Sequence, residues 1–230
     1  MKKMKVLAIC AIAVLSITSA KAQFATGADI VSSYVWHGVQ QGSTTSGTPN
    51  IQPYVSFTTG KLTLGSWASS SFTTDVKEVD LYATYAFSSA FAITLTDYNY
   101  NLMSLPKYFD YSATGGHVYE GTLAYTGTAF SASVNTMFAG ADKKPSDATK
   151  QALSTYIELG YQINPLAKVF VGGVLGESNN YLTTGAGVTN VGLKVSKSIA
   201  ITDKFSLPLY GILGVNPAAN RAFFVAGITL

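Results

Sequence analysis

Charged residues are scarce in this chain, and those that fall inside its alternating segments are the first candidates for chemistry. Seven of them lie opposite the apolar side chains of their own segments: Asp29, Glu78, Asp80, Glu120, Glu158, Lys168 and Lys194. On a strand, that parity places them on the polar face. If such strands close into a barrel, charges on its inner face can set the solute preference of a pore, or can hold the barrel shut through internal salt bridges and hydrogen bonds. If they line a pore, five acids against two bases predict a weak cation preference.

Five large aromatic residues share the same inward parity, and they offer a second kind of chemistry. They are Trp67, Tyr82, Tyr98, Tyr100 and Tyr156. Inward aromatic rings can stack against sugars or a hydrophobic solute. They can also simply fill a narrow lumen, as large residues do in small barrels, and this is the interpretation we favour.

Catalytic and metal chemistry find little support in the sequence. The two histidines, His37 and His117, have no nucleophile-elbow spacing beside them. His117 and Glu120 are three residues apart, so on a strand they face opposite sides and cannot form a local metal pair. No phosphate-cradling glycine motif is present. We therefore predict no enzyme, no cofactor and no metal, with an embedded phospholipase as a distant alternative.

The elements that position these residues are short segments of alternating polarity, of about ten residues each, the length that a tilted strand needs to cross a bilayer. About a dozen such segments follow residue 27, and their connections are alternately tight and long. Strict alternation puts all tight turns at one end and all long loops at the other. The sequence predicts an all-β transmembrane antiparallel up-and-down barrel of about 12 strands, with long loops at residues 40–48, 70–77, 101–115, 139–151, 177–185 and 215–220.

Aromatic residues beside the tight turns favour this barrel over a soluble β-sandwich. Eight of them carry the apolar parity of their strands: Phe57, Tyr85, Phe87, Phe91, Tyr125, Phe130, Tyr161 and Phe205. Outward aromatic rings at one end of every hairpin are typical of an interfacial girdle. A sandwich core gives no reason to collect its aromatic residues beside the turns.

The first 22 residues have the pattern of a signal peptide. Lys2, Lys3 and Lys5 precede an apolar run, and Ala20-Lys21-Ala22 is a small-x-small cleavage site. The predicted barrel domain is then 23–230. Four of the 15 basic residues leave with the signal, so 11 remain against 12 acids. Without a basic surface or a cysteine, the mature chain offers no nucleic-acid interface and no thiol chemistry.

Three features fit the barrel pattern less simply. Asp97 has the outward parity of Ile93 and Leu95, so either a bulge shifts the register or the strand has already left the hydrocarbon. His117 has outward parity if Glu120 faces inward. Residues 139–151 are the most charged stretch. We interpret them as a solvated loop tip, with a contact to lipopolysaccharide or a surface ligand as the alternative.

Several short motifs resemble the TorF-type porin family of bacterial outer membranes. The match covers most of the mature chain and rests on residues 33–38, Gln52, 65–69, 80–83, 97–100, 108–110 and 117–120. The motif at 33–38, Ser-Tyr-Val-Trp-His-Gly, is expected on the first strand. His37 departs from the pattern, in which a basic residue, commonly arginine, would be expected. The resemblance implies an outer-membrane barrel and a channel, and it supplies no substrate.

These observations predict a porin-like channel for passive diffusion of small solutes or ions across the outer membrane of a Gram-negative bacterium. The candidate pore lining comprises the seven interior charges with Trp67, Tyr82, Tyr98 and Tyr156. The alternative is a non-conducting barrel that acts as a surface receptor or scaffold through its loops. The expected partners are outer-membrane lipid, lipopolysaccharide and the barrel-assembly machinery.

Overall fold

Twelve long strands form the wall of this protein in the computed structural model, which describes residues 22–42, 47–73, 77–100, 108–112 and 115–230. The predicted signal peptide, apart from Ala22, lies outside the described residues. The wall strands are β1 (Gln23–Val31), β4 (Asn50–Thr59), β5 (Leu62–Ser71), β6 (Lys77–Ala86), β7 (Phe91–Asn99), β8 (His117–Thr126), β9 (Phe130–Gly140), β12 (Thr155–Asn164), β13 (Ala167–Val174), β16 (Gly187–Thr202), β17 (Phe205–Asn216) and β18 (Arg221–Thr229).

Each wall strand pairs antiparallel with its neighbours, and the sheet closes on itself. The order runs from β1 through β4 and the successive strands to β18, which pairs back onto β1 with Asp29 opposite Thr229. Closure leaves no unpaired sheet edge to be satisfied by solvent. The predicted twelve-stranded antiparallel barrel is confirmed.

The connections divide into a turn end and a loop end, as the alternation of short and long segments predicts. The loop end also carries three small two-stranded hairpins, which the strand pattern did not predict. They are formed by β2 (Val35–Trp36) with β3 (Val39–Gln40), β10 (Lys143–Lys144) with β11 (Asp147–Gln151), and β14 (Glu177–Ser178) with β15 (Thr183–Thr184).

The outer surface of the barrel is apolar, as a wall facing lipid requires. Leu95, Leu159 and Leu213 are each more than half exposed. Near the turn end, aromatic rings pair across neighbouring elements, as in Phe91–Tyr125 and Phe130–Tyr161, whose centroids lie 5.0 and 4.9 Å apart. Seven of the eight aromatic residues expected in the girdle are exposed, and Phe57 is half-buried against Phe24. Within the described residues no helix is long and apolar enough to cross a membrane.

The inner face changes character along the barrel axis. Near the loop end its side chains are buried, as for Asn50, Glu120 and Asn135. On the same walls toward the turn end, inward residues such as Thr58 and Ser131 keep part of their surface exposed. The lumen is therefore packed in its loop half and more open in its turn half.

The first strand is shorter than the sequence pattern predicts, which corrects the placement of residues 33–38 on it. β1 ends at Val31, and the chain then turns back into a separate hairpin, β2–β3. The two residues at its tip, His37 and Gly38, have φ angles of 50° and 81°. Two successive left-handed residues are the requirement of a type I′ hairpin turn. This turn breaks an alternation that otherwise continues through Trp36.

Candidate functional site

The β2–β3 hairpin, which we call the plug hairpin (residues 34–41), is anchored against the inner wall of the barrel. The buried Asn216 amide of β17 donates to the Gly38 carbonyl across 3.1 Å. A Cβ at Gly38 would collide with the Thr189 carbonyl of β16, so this turn fits only as glycine. At the base of the hairpin, the Gln41 N–H donates to the Tyr34 carbonyl at 2.8 Å. The tip of the plug hairpin thus contacts β16 and β17.

Four aromatic rings stack where the plug hairpin meets the wall. His37 lies flat on Tyr156, with centroids 3.9 Å apart and planes 7° apart. Trp36 stacks on both His37 and Tyr181, at 4.3 and 4.8 Å. His37 and Tyr181 are only 5.9 Å apart, too close to flank the indole on opposite faces. They therefore share one face of Trp36, and the stack runs from Trp36 through this pair to Tyr156.

Aliphatic side chains seal the space around this stack. Val39 of the plug hairpin joins a buried cluster with Val118, Met137 and Val174 from three different wall strands. Met137 is fully buried and Val118 is 1% exposed. A close-packed apolar cluster of this kind leaves little room for water. The plug hairpin is therefore an integral part of the barrel interior.

The position of Tyr156 depends on a glycine across the strand pair. Tyr156 on β12 faces inward over Gly172 of β13, where a Cβ would collide with the tyrosine hydroxyl. That hydroxyl donates to the Glu158 carboxylate at 2.7 Å, and the Asn190 amide donates to the same carboxylate at 3.2 Å. Glu158 is thus oriented by two donors at the lower edge of the aromatic stack.

Enclosure of His37 among rings changes its protonation. Burial lowers the pKa of His37 from 6.5 to about 3, because desolvation disfavours the charged imidazolium. The Tyr181 hydroxyl lies 3.1 Å from His37 Nδ1, within hydrogen-bond distance. Burial also raises the pKa of Tyr181. Both rings are therefore neutral at physiological pH.

Two predicted interior acids form a buried carboxyl pair on β6. Glu78 and Asp80 are 2% and 5% exposed, and their carboxyl groups are hydrogen-bonded to each other. Glu78 also hydrogen-bonds to Tyr34, which packs against Trp67 at 5.4 Å. The pair faces the interior, as predicted, but lies in the packed loop half rather than on an open water-filled surface.

Glu120 and Tyr98 lie next to this pair on the inner wall. The Tyr98 hydroxyl donates to Glu120 at 3.0 Å, and the Tyr98 ring meets the edge of Trp36. Tyr100 stacks on Tyr98 at 5.7 Å. The predicted inward aromatic residues of β7 thus connect the acids of the wall to the plug hairpin.

The turn half of the lumen holds both predicted bases and one more acid. Lys194 lies 4.5 Å from the centre of the Tyr210 ring, and the Tyr210 hydroxyl donates to Asp29 at 3.1 Å. Lys168 is directly opposite Lys194 on the neighbouring strand. Tyr82 covers Gly65 farther round the wall. All eleven candidate lining residues face the interior, and their role in conduction stays a prediction.

The parity of Asp97 and His117 has a structural explanation. No register shift separates β7 from β6 or β8, so both residues remain on the outer face near the loop end. They contact each other, with His117 Nδ1 2.7 Å from Asp97 Oδ1. His117 Nε2 donates to the Tyr108 carbonyl at 2.7 Å, and the Tyr111 ring stacks on the imidazole. A covered hydrogen-bonded pair thus ends the apolar outer band, as expected for a strand that has left the hydrocarbon.

Asp97→Asn should loosen the loop segment that covers His117. The substitution keeps the shape of the side chain and removes the negative charge beside His117 Nδ1. The other ring nitrogen, Nε2, already donates to the Tyr108 carbonyl. Hydrogen bonds to charged groups stabilise by about 1.5–3 kcal/mol. We therefore expect faster amide hydrogen exchange in residues 108–112. Asp203→Asn at a turn is the matched control and should leave this segment unchanged.

Asp142 is a buried hub that the sequence pattern did not reveal, at the base of a loop whose tip, residues 145–150, is largely exposed, as the interpretation of a solvated loop tip predicts. Its side chain is fully buried. Its carboxylate accepts from the Ser154 N–H at 2.9 Å, the Ser154 hydroxyl at 2.6 Å and the Asn180 amide at 3.0 Å. Asn180 also contacts Met137. Asp142 therefore ties the β10–β11 and β14–β15 hairpins to the packed interior.

Asp142→Ala should open these two loops locally. Three donors lose a charged acceptor, and each such bond contributes about 1.5–3 kcal/mol. We expect amide exchange at Ser154 to rise by about a hundredfold or more, since about 1.4 kcal/mol corresponds to a factor of ten. Asp147→Ala in the same loop removes an exposed pair with Lys150 and local hydrogen bonds from Thr149 and should have little effect at Ser154. Equal exchange in the two variants would contradict the assigned hub.

The described residues show no group of three or more His, Cys, Asp or Glu side chains that could hold a metal ion. His117, the only histidine on the outer wall, has its two nitrogens facing Asp97 and the Tyr108 carbonyl. It is thus not aimed at a hydroxyl nucleophile. The catalytic alternative gains no geometric support from this dyad.

Comparison with known proteins assigns no family to this chain. No protein-family model and no curated protein matches the sequence. Among solved structures, one from work on the in-meso crystallization of membrane proteins aligns over 90% of this chain and 83% of its own length. Its identity is 9% and its TM-score is 0.46, so it carries no argument about function. The closed wall, the apolar exterior and the aromatic girdle identify the chain as a twelve-stranded membrane β-barrel.

Proposed function

We propose that this barrel is a narrow outer-membrane channel that lets small solutes or ions diffuse passively, with its loop half constricted by the plug hairpin. The main support for the proposal is that the lumen is packed in its loop half and more open in its turn half. Inward residues such as Asp29, Lys168 and Lys194 keep exposed surface in the turn half, while the aromatic stack closes the loop half. A twelve-stranded wall lies between the filled eight-stranded barrels and the open sixteen-stranded porins.

The charges of the open half support a weak selectivity of this channel. Asp29 lies with Lys168 and Lys194 there, and Glu158 lies beyond them at the lower edge of the aromatic stack, so the charges nearly balance. The excess of acids comes from Glu78, Asp80 and Glu120 deeper in the constriction. Resemblance of the motif at 33–38 to TorF-type porins supports the same function. Insertion by the barrel-assembly machinery and contact of the loops with lipopolysaccharide are part of this proposal.

A second function is favoured by the completeness of the plug. Within the described residues, the stack of Trp36, His37, Tyr156 and Tyr181, sealed by Val39, narrows the path through the loop half. A barrel that remains closed in this way would act through its loops, as a receptor or scaffold. The two functions differ in one measurable property, which is solute flux.

Swelling of proteoliposomes measures that flux. Vesicles containing the refolded mature chain should swell in glycine or arabinose faster than protein-free vesicles and much less in raffinose, because a constricted lumen discriminates steeply by size. Migration on an unheated gel verifies that the barrel is folded. If folded protein gives no swelling above protein-free vesicles in any solute, the channel proposal is wrong and the receptor function is favoured.

A further inference from the structure

A cavity of about 360 Å³ opens at the loop end, above the aromatic stack. Its walls come from the plug hairpin, the end of β7 and the segment between β14 and β15. The side chains that matter for its chemistry are two aromatic rings and four carboxamides: Trp36, Tyr100, Gln40, Gln41, Asn179 and Asn180. We call this cavity the vestibule. Its size lies at the lower end of the range of small-molecule sites, about 300–1,000 Å³.

None of the described residues that line the vestibule carries a charged side chain. A charged solute that enters it would lose water without gaining a counter-charge, which is unfavourable. Carboxamides offer a donor and an acceptor on one planar group, and this combination suits pairs of neighbouring hydroxyl groups. Aromatic rings offer a flat apolar surface. Together these groups match a ligand that has a polar hydroxylated edge and an apolar face.

The carboxamides are held in fixed orientations by the protein. The Asn179 amide donates to the Lys143 carbonyl at 3.2 Å, and the Asn180 amide donates to Asp142 at 3.0 Å. The Gln41 amide donates to the Val39 carbonyl at 3.2 Å. Preorganised polar groups bind more tightly, since less side-chain freedom is lost on binding.

Trp36 is positioned in the same way. His37 and Tyr181 share one face of its indole, so the ring is held from the barrel side while part of its surface lines the vestibule. Tyr100 is held by stacking on Tyr98. The two rings therefore form a rigid platform at the base of the vestibule.

We propose that the vestibule is a binding site for a small neutral saccharide of one or two rings. The sugar stacks on Trp36, and its hydroxyl groups bond to the four carboxamides. This site does not depend on conduction, because a closed receptor barrel and a channel would present the same vestibule.

Tryptophan fluorescence tests the proposal directly, because the chain has only two tryptophans, Trp36 and Trp67. In a Trp67→Phe variant the emission reports Trp36 alone. The protein is refolded in an amine-oxide detergent, since glycoside detergents would occupy the site. The probes are glucose, galactose, mannose, N-acetylglucosamine, maltose and cellobiose. We expect a saturable change in Trp36 emission with at least one of them.

Two variants test whether the sugar binds to the carboxamides of the vestibule. Asn179→Ala and Gln41→Ala should each weaken sugar binding several-fold by calorimetry, while Asn164→Ala at a turn should not. Choline and succinate serve as charged probes of similar size. The proposal is overturned if no sugar changes the emission of a folded protein, or if a charged probe binds and the sugars do not.

Discussion

Trp36→Ala is expected to raise the unitary conductance of the barrel several-fold. The indole is the upper member of the aromatic stack, and its loss leaves His37 and Tyr181 uncovered beneath an enlarged opening. Large-to-small replacement in a packed cluster also destabilises it by about 3–5 kcal/mol. The plug hairpin should therefore be both smaller and less firmly docked. Single-channel recording in a planar bilayer gives the measurement.

Gly38→Ala tests whether the docked plug hairpin limits conductance, without removing an aromatic ring. The added methyl collides with the Thr189 carbonyl, and the φ of 81° is unfavourable for alanine. The hairpin tip then cannot dock, so conductance should rise as in Trp36→Ala. Gly121→Ala is the matched control, since its Cβ would meet only ordinary contacts on the lipid side. Unchanged conductance in both test variants would show that the plug hairpin does not limit flow.

Acidification is expected to release the plug hairpin. The docked His37 has a pKa of about 3, whereas an undocked, solvated histidine titrates near 6.5. The docked state thus binds fewer protons, so lowering the pH below about 6.5 favours the undocked state, and the effect levels off below about 3. Each pH unit in this window shifts the equilibrium about tenfold, so at pH 4.5 the shift is about a hundredfold.

The response to pH can be assigned to His37 by comparison with a variant that lacks the imidazole at this position. In His37→Gln the open probability should lose its rise between pH 6.5 and 3, while in His117→Gln the rise should persist. In the wild-type protein, the opening that amide hydrogen exchange reports in residues 35–41 should also increase between pH 6.5 and 3. An acid response that survives in His37→Gln would assign the titration to another group.

The wall of the barrel could be predicted because its pattern depends on residues that are close together in the sequence. Inward and outward residues alternate along every strand, and the tight turns and their aromatic neighbours mark one membrane interface. The anomaly of Asp97 and His117 was also visible as wrong parity on strands that follow each other in the chain. That the two side chains contact each other diagonally across β7 and β8 is shown only by the structure.

The interior could not be predicted to the same extent because its contacts are distant in sequence. Residues 33–36 continue the alternation of β1, and only the His37-Gly38 dipeptide signals the turn that sends the chain into the lumen. Asp142 lies in a charged stretch and is buried by Asn180 and Ser154. Parity shows which side of the wall a residue faces and carries no information about loops that fold back inside.

Unitary current from the refolded mature chain in a planar bilayer tests the central claim most directly. A narrow lumen constricted by the plug hairpin predicts small discrete current steps with weak ion selectivity. The steps should grow in Trp36→Ala and at pH 4.5. A barrel that is demonstrably folded yet carries no current as wild type, as Trp36→Ala or in acid would contradict the channel and leave a closed receptor barrel.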